Sequence, residues 1–374
     1  MTASPAMKTG LFRHVVMEGS AYEVGKMQAK WFADAPREHI DLMIAAAGKL
    51  DKASAAEAKA AASFLETHCP GLGEEIAGFA DGWGVPPEVI AYHSLTAIRS
   101  SNCSHFAVLP AITADGHLYV GRSYEWSRDD ELRLCTTRIR GQAAHLGFSL
   151  FLFGRYDGIN EHGLCVAMSA GVPCSMPADR GLRFWAVVRT LLDRCKRVDE
   201  ALDLFASLPI SFNWNLTIAD RTGQAALVEC ACAHRAVKRI SPETAEKSLY
   251  STNHFTLPGM QAYDQNRMRQ SVQRYNALKS RLPSASSSGT KEKLRTILST
   301  PMPEGVCCHY YDDGLGTLWS ILFDVTAGKT EICFGSPVVN PWRSFGLNGP
   351  VGVTTYPAQF PGENSAKELW ERVK

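Results

Sequence analysis

The spacing of apolar and polar residues changes near residue 100. Before it, apolar residues recur at helical spacing over 21–48, and 55–67 is rich in Ala, Lys and Glu, which favour helices. Two further short amphipathic segments, 72–79 and 86–96, are separated by glycines and a proline. The first 102 residues are therefore predicted to be mostly helical.

After residue 100, short runs rich in Val, Phe, Tyr, Ile and Cys alternate with turn residues, which is typical of strands. Asp115-Gly116 lies between the first two runs and indicates a hairpin. Hairpin-linked strands with helices grouped between them predict an α+β fold of antiparallel sheets stacked against helical layers. The predicted strands are 104–109, 117–122, 135–140, 145–153, 164–169, 215–219, 225–230, 236–240, 317–323 and 329–334, and the helices are 183–195, 198–207 and 265–281.

Composition narrows the choice of partners and compartment. The net charge of +1 gives no electrostatic argument for nucleic acid or an anionic membrane, and no apolar run is long enough for a transmembrane helix. The N-terminal residues lack a charged start followed by an apolar stretch, so no secretory signal is expected. The eleven cysteines are then expected to be reduced and buried, and the cytoplasm is the expected compartment.

The segment 100–126, SSNCSHFAVLPAITADGHLYVGRSYEW, carries the clearest chemical signal. If its two strands pair around Asp115-Gly116, Arg122 and Glu125 lie beside Cys103. A neighbouring cation favours the thiolate, which is the nucleophilic form of cysteine, and a carboxylate orients the groups around it. The base is missing, but a chain cut before Cys103 would supply an α-amine with a pKa of about 7.7–8.0.

The segment around Cys103 resembles the acyl-coenzyme A:isopenicillin N acyltransferase family and, more distantly, choloylglycine hydrolases and penicillin V acylases. In those proteins a cysteine begins the first catalytic strand, and an arginine or glutamine and a carboxylate follow the hairpin. Further similar segments occur in the order of the family: 70–85, Asn160-Glu161-His162-Gly163-Leu164, 216–220 followed by Gly223 and Glu229, Ser251-Thr252-Asn253-His254-Phe255, and Thr317-Leu318-Trp319 before Asp324.

This resemblance implies an N-terminal-nucleophile hydrolase with a four-layer αββα sandwich. It also implies self-cleavage between Asn102 and Cys103, which would leave residues 1–102 as a helical pro-segment that stays bound as a small subunit. Residues 103–374 would form the catalytic domain. The expected reaction is hydrolysis of a small-molecule amide, or transfer of its acyl group, through a thioester on Cys103.

The resemblance also assigns individual residues. Asn253 matches an asparagine of the oxyanion hole, and Arg267 matches a downstream arginine of the site, with Arg269 as a competing match. Ser169 or Ala170 falls where relatives place a polar substrate-binding residue. No metal or organic cofactor is implied, although an acyltransferase would take an acyl-coenzyme A donor.

Two positions depart from the family pattern. Asn102 stands where glycine commonly precedes the nucleophile, and glycine eases the strained backbone of an N-to-S acyl shift. Glu125 stands in place of the usual aspartate and is one methylene longer.

Three alternatives remain open at this stage. The chain would be a non-enzymatic binding protein on the same fold if Asn102 prevents cleavage. A papain-like enzyme would use a histidine as base, and His105 lies two residues after Cys103 on the same strand face. A zinc site would draw on Cys230, Cys232 and His234 with Cys307, Cys308 and His309, although C-x-C and C-C spacings fit structural zinc poorly.

Overall fold

The computed structural model describes residues 7–32, 52–96, 101–128, 130, 132–150, 153–171, 181–211, 213–264, 267–284 and 288–373. Its helices are α1 (Ala21–Phe32), α2 (Lys52–His68), α3 (Leu72–Trp83), α4 (Pro87–Thr96), α5 (Phe184–Arg194), α6 (Val198–Ser207), α7 (Arg269–Arg281) and α8 (Lys291–Ser299). No helix in these ranges is long and apolar enough to cross a membrane.

The strands form two sheets. In chain order they are β1 (Lys8–Gly19), β2 (Asn102–Val108), β3 (Tyr119–Trp126), β4 (Arg133–Ile139), β5 (His145–Leu150), β6 (Gly154–Arg155), β7 (Asp157–Asn160), β8 (Cys165–Ala170), β9 (Asn213–Ala219), β10 (Ala225–Ala231), β11 (His234–Ile240), β12 (Ser248–Ser251), β13 (His309–Tyr310), β14 (Leu315–Asp324), β15 (Lys329–Phe334), β16 (Trp342–Phe345) and β17 (Gly352–Phe360). The large sheet has the order β11-β10-β9-β8-β7-β5-β4-β1-β17, with β6 paired to β5. The small sheet has the order β12-β2-β3-β14-β15-β16, with β13 paired to β14.

Alternation along β2 explains how the small sheet is covered on both faces. Phe106 and Val108 pack in an apolar cluster with Leu278 of α7 and Leu294 of α8. His105, one position along, points the other way and contacts Ser169 and Thr217 of the large sheet. Successive strand residues point to opposite faces, so α7 and α8 cover one face of the small sheet and the large sheet covers the other.

The large sheet is covered in the same way. Asp157 of β7 forms an ion pair with Arg122 of the small sheet. Asn160, three positions on, donates its side-chain N–H to the carbonyl of Leu192 in α5 at 2.9 Å. Helix, sheet, sheet and helix therefore follow one another, which agrees with the predicted α+β class and αββα order.

The N-terminal segment is less helical than the sequence predicts. Residues 8–19 form β1, which lies between β4 and β17 and contributes buried Phe12, Val15 and Met17. The described strand pairs are antiparallel, as predicted, except that β1 runs parallel to β4. The predicted helix over 21–48 is α1 as far as Phe32, and 33–48 lies outside the described residues.

Most other predicted elements are present with shifted ends, and several elements were not predicted. Strand β5 ends at Leu150, and α7 begins at Arg269. Besides β1, the unpredicted elements are β6, β7, β12, β13, β16, β17 and α8. The short β12 matters most for the site, because it pairs with β2 and ends two residues before Asn253.

Helices α1 and α3 approach closely at two glycines. A Cβ on Gly25 would lie 1.9 Å from the carbonyl oxygen of Glu75, and one on Gly78 would lie 2.0 Å from that of Tyr22. Only glycine permits backbones to approach at this distance. The contact fixes α3, which carries Glu75, against the rest of the N-terminal segment.

A buried ion pair joins this segment to the remainder of the chain. Glu75 Oε2 lies 2.8 Å from Nη2 of Arg189 in α5, and both side chains are almost fully buried. The same guanidinium pairs with Asp193 at 2.8 Å and donates to the carbonyl of Phe153 at 2.8 Å. Gln28 of α1 donates to the other Glu75 oxygen.

We expect Glu75→Ala to lower the free energy of unfolding by about 3–5 kcal/mol, because it leaves part of the charge of Arg189 buried without its partner. Neighbouring Glu74 is exposed on the same helix, so Glu74→Ala is the matched control and should change stability by less than about 0.5 kcal/mol. Urea unfolding of the three proteins measures both values. Equal midpoints for Glu75→Ala and Glu74→Ala would show that the pair contributes nothing.

Candidate active site

The β2–β3 hairpin brings the predicted thiol and cation together. Its register pairs Cys103 with Tyr124 and His105 with Arg122. The Arg122 guanidinium reaches back along the hairpin, and Nη2 lies 3.4 Å from Cys103 Sγ. The hairpin signal at Asp115-Gly116 was therefore sufficient to predict this contact.

Arg122 is completely buried and is held from several sides. Its Nε lies 3.0 Å from Asp157 Oδ2, and Asp157 also accepts the Phe148 backbone N–H at 3.1 Å. The guanidinium lies over three aromatic rings, those of Tyr124, Tyr156 and Trp319, at 5.1 to 5.8 Å. Ion pairing and ring contacts together fix the cation beside the thiol. The sequence did not indicate Asp157, because its strand pairs within the other sheet.

Cys103 itself is fully buried. Burial raises the pKa of its thiol, and the neighbouring Arg122 opposes that rise. Its backbone N–H donates to Asn253 Oδ1 at 2.9 Å, and Ser101 Oγ lies 3.7 Å from the sulfur. In this state the thiol is protonated at neutral pH and has no titratable base in contact with it among the described residues.

Glu125 occupies a buried position opposite Asn102 in the hairpin. It accepts a hydrogen bond from Ser123 and lies 3.4 Å from Thr317 Oγ1 and 3.5 Å from Arg274 Nη1. Burial raises the pKa of Glu125 to about 7, and the Arg274 charge opposes the rise. Glu125 thus lies beside Arg274 and forms an ion pair with it only when deprotonated, whereas Arg122 is paired with Asp157.

The side-chain amide of Asn253 connects the ends of three elements. Its Oδ1 accepts the Cys103 N–H at 2.9 Å and an N–H of Arg274 at 2.8 Å. Its Nδ2 donates to the Ser101 carbonyl at 3.0 Å and to the Ala170 carbonyl at 2.7 Å. Both protons of the amide are therefore engaged while residues 101–103 remain continuous.

The structure brings Arg274, rather than Arg267 or Arg269, to this centre. Arg274 donates to the Cys103 carbonyl at 2.6 Å and to Ser104 Oγ at 2.9 Å. Arg267 instead pairs with Asp264 at 3.3 Å and donates to the Phe255 carbonyl at 3.1 Å. Arg269 pairs with Glu371 at the surface.

A helical pattern in the sequence contained the signal for Arg274. Gln270, Ser271, Arg274, Ala277 and Leu278 are the buried residues of α7. They recur every three or four positions, which marks the core-facing side of the helix. Arg274 lies on that side, and Arg267 precedes the helix.

Ser169 lies near Asn253 but contacts protein groups. Its hydroxyl donates to the Thr252 carbonyl, and it lies 3.1 Å from His105 Nε2. His105 Nδ1 lies 2.8 Å from Thr217 Oγ1, so both ring nitrogens are occupied by hydroxyl groups of the large sheet. Burial lowers the pKa of His105 to about 3, which keeps the ring neutral. This arrangement gives no support to His105 as the base for Cys103.

Asn102 is anchored through its side chain. Its Nδ2 donates to the Gly314 carbonyl at 3.1 Å, and its Oδ1 accepts from Gln270 Nε2 at 2.8 Å. The residue before the predicted nucleophile is thus fixed to Gly314, which directly precedes β14, and to α7, so the Asn102–Cys103 peptide is fixed relative to Arg274.

The two cysteine clusters do not form a metal centre together. Cys307 Sγ lies 3.5 Å from His309 Nε2, and His309 bonds Ser336 and Glu363. Cys230 belongs to β10 in the large sheet, and its thiol contacts the Cys232 carbonyl. Within the part of the chain that the structure describes, no three His, Cys, Asp or Glu side chains are grouped to hold a metal ion.

A family model decides the relationship of the chain. The acyl-coenzyme A:6-aminopenicillanic acid acyl-transferase model matches residues 113–338, which is more than half of the sequence. The chain belongs to this acyltransferase family. It is an enzyme of the class that hydrolyses amides or transfers acyl groups at carbon–nitrogen bonds. Arg122, Glu125, Asn253 and Arg274 lie within the match, whereas Cys103 precedes it.

Solved structures give weaker similarities. Penicillin V acylase from Agrobacterium tumefaciens is 16% identical, with 68% of this chain and 90% of that chain covered and a TM-score of 0.43. An N-acylethanolamine-hydrolyzing acid amidase ortholog from Caenorhabditis elegans is 14% identical, covering 60% and 93% with a TM-score of 0.42. A mutant conjugated bile acid hydrolase from Clostridium perfringens is 14% identical, covering 68% and 96% with a TM-score of 0.42. No curated protein sequence matches the chain.

The raised pKa of Glu125 makes stability depend on pH. The folded protein retains the Glu125 proton up to about pH 7, whereas the unfolded chain loses it near 4.5. This contribution is fully present below pH 4.5 and is lost as the pH rises through 7, on the order of 3 kcal/mol. We expect Glu125→Gln, which stays neutral, to lose less stability than the wild type between pH 5 and 8.

Urea unfolding at several pH values measures this difference, and substitution of exposed Glu304 by Gln is the control. Parallel stability–pH curves for the wild type and Glu125→Gln would contradict the assignment.

Proposed function

We propose that this protein is a self-processed cysteine amidase or acyltransferase in which Cys103, freed as a chain N-terminus, attacks the substrate carbonyl. The observation that carries the proposal is the joint placement of Arg122, Asn253 and Arg274 around the thiol, backbone N–H and carbonyl of one residue, Cys103. Each contact meets a separate requirement of acyl transfer to a cysteine. Arg122 stabilises the thiolate, Asn253 orients the amine and Arg274 fixes the peptide.

Activation begins with the Asn102–Cys103 peptide. Cys103 Sγ adds to the Asn102 carbonyl carbon, and the carbon–nitrogen bond then breaks as the Cys103 nitrogen takes up a proton. The product is a thioester between Asn102 and Cys103. Water hydrolyses the thioester, which releases the Asn102 carboxylate and the Cys103 thiol, while the Cys103 α-amine is already free from the preceding step.

Cleavage supplies the base that the uncut site lacks. The new α-amine sits where the Cys103 N–H now contacts Asn253 Oδ1, and its pKa of about 7.7–8.0 suits proton exchange with the thiol at neutral pH. The Arg122 cation beside Sγ favours the thiolate. The same amine then delivers a proton to the leaving amine of the substrate.

Cleavage also frees the oxyanion donor. Ser101 currently accepts one Nδ2 proton of Asn253, so withdrawal of the cut end exposes this N–H to the tetrahedral intermediate. Removing one such donor typically costs about 100- to 1,000-fold in rate. The thioester formed with substrate is resolved by water in an amidase, or by a second amine in a transferase.

The N-terminal segment is proposed to remain as a bound subunit after the cut. Strand β1 pairs on one side with β4 and on the other with β17. The Glu75–Arg189 pair adds a buried link between the segment and α5. These contacts support the proposal that residues 1–102 stay bound to residues 103–374 after the cut.

Intact mass under denaturing conditions tests the cleavage. We expect fragments of residues 1–102 and 103–374 from the wild type and only full-length chain from Cys103→Ala, because the substitution removes the attacking thiol. Cys165→Ala removes another buried thiol and should leave cleavage unchanged. Asn102→Gly should speed cleavage, since glycine lowers backbone strain at the scissile bond.

A single full-length species from both the wild type and Asn102→Gly would contradict the proposal and favour an unprocessed binding protein. Cleaved wild type should still elute as one species on a sizing column under native conditions.

Two arginines provide a matched pair for the catalytic step. We expect Arg274→Ala to lower kcat/KM by about 100-fold or more, since Arg274 orients both Asn253 and the Cys103 carbonyl. Arg267→Ala should lower it by less than about fivefold, because that side chain contacts only Asp264 and the Phe255 carbonyl among the described groups.

Turnover can be measured with penicillin V, a conjugated bile acid and an N-acylethanolamine, and with 6-aminopenicillanic acid plus an acyl-coenzyme A for the transferase reaction. A larger loss from Arg267→Ala than from Arg274→Ala would restore Arg267 to the site.

A further inference from the structure

The peptide group between Thr252 and Asn253 is held at both of its polar ends. On one side, the Thr252 carbonyl accepts Asn215 Nδ2 at 2.9 Å and the hydroxyl of Ser169. On the other side, the Asn253 N–H donates to Ser271 Oγ at 2.9 Å. The holding groups come from β9 and β8 of the large sheet and from α7, which covers the small sheet.

The proton positions around Ser271 follow from its neighbours. Ser271 Oγ lies 2.8 Å from His254 Nδ1, and burial lowers the pKa of His254 to about 3, so the ring is neutral. Thr252 Oγ1 donates to the Ser271 carbonyl at 3.0 Å. Ser271 can therefore accept the Asn253 N–H while its own proton goes to His254 Nδ1 or to Thr252 Oγ1, which lies 2.9 Å away.

The hydrogen bonds to the Thr252 carbonyl are equally constrained. Ser169 donates its proton to the Thr252 carbonyl, so the His105 nitrogen 3.1 Å away must donate to Ser169. Asn215 Nδ2 also lies 3.3 Å from Ser169 Oγ. All of these side chains are buried, and hydrogen bonds are stronger in such a low-dielectric setting, which favours one geometry for the Thr252 carbonyl.

We propose that Asn215 and Ser271 are positioning residues that set the Asn253 side-chain amide for oxyanion binding by holding the Thr252–Asn253 peptide from both sides. The proposal rests on the proposed function, in which Asn253 Nδ2 is the oxyanion donor. The orientation of one peptide plane determines the direction of the Asn253 Cα–Cβ bond, so a rotated peptide moves Nδ2 away from the developing charge. Ser169, which was predicted to bind substrate, also holds this peptide, and Asn215, Ser169 and Ser271 together form a clamp on it.

Ser271→Ala tests the clamp, because it removes the acceptor of the Asn253 N–H. We expect kcat to fall by about tenfold or more with KM changed less than about threefold, since the lost orientation matters mainly in the transition state. The assay uses whichever of the panel amides the wild type turns over fastest. Alkylation of Cys103 by iodoacetamide should proceed at the wild-type rate, because it needs no oxyanion donor.

Conservative variants separate positioning from a structural role. Ser271→Thr retains a hydroxyl and should recover kcat to within about threefold of wild type, whereas Ser271→Cys keeps the size with a weak acceptor and should not. Exposed Ser280 on the same helix donates only to the Ala277 carbonyl among described groups, so Ser280→Ala is the matched control. Asn215→Ser should lower kcat in the same way.

An unchanged kcat in Ser271→Ala and Ser271→Cys, or a rise in KM alone, would overturn the clamp while leaving the proposed function in place. Retained turnover in Cys103→Ala, or no turnover of any panel amide by the wild type, would overturn the proposed function and the clamp with it.

Discussion

The contact between the Cys103 backbone nitrogen and the Asn253 amide is the constraint on which the rest of the site depends. It ties the first residues of β2 to the segment after β12, and through Arg274 to α7. Cys103 lies 150 residues before Asn253 in the sequence, whereas Arg274 follows Asn253 by 21 residues. Asn253 gives the backbone nitrogen of Cys103 a defined acceptor, and Arg274 gives its carbonyl a defined donor.

In the continuous chain, the hydrogen-bond donors that the proposed reaction would need are already bound to other protein groups. Asn253 Nδ2 is occupied by two backbone carbonyls, and the Cys103 thiol is shielded from solvent with a raised pKa. A site so occupied is stable, because no buried polar proton of that amide lacks an acceptor. Loss of one acceptor leaves a directed N–H in a low-dielectric setting, where electrostatic stabilisation of an oxyanion is strong.

The sequence predicted the hairpin contacts well because strand register is local information. Asp115-Gly116 and the alternation on either side were enough to place Arg122 beside Cys103. Asp157 and Arg274 reach the site from distant parts of the chain, and only the packing of the second sheet and of α7 selects them. The family resemblance pointed to Arg267 or Arg269, close to the right position in the sequence. The buried face of α7 determines that Arg274 is the arginine that reaches Cys103.

Two strands were missed for a related reason. Strand β1 shows an irregular pattern of buried and exposed residues over Lys8–Gly19, and β17 contains Pro357, which is unusual inside a sheet. Their pairing with each other joins strands from opposite ends of the chain. The pattern of residues within a short stretch of sequence does not reveal such long-range pairing.

The position of β1 inside the large sheet also bears on the lifetime of a cleaved molecule. An uncut chain that unfolds can return by a first-order process, because β1 remains tethered to the strands on both sides of it. If the proposed cleavage before Cys103 takes place, the same strand would have to return to its position between β4 and β17 by a bimolecular encounter. Refolding of the cut form would then depend on protein concentration, and its working lifetime would be set by the barrier to unfolding rather than by an equilibrium.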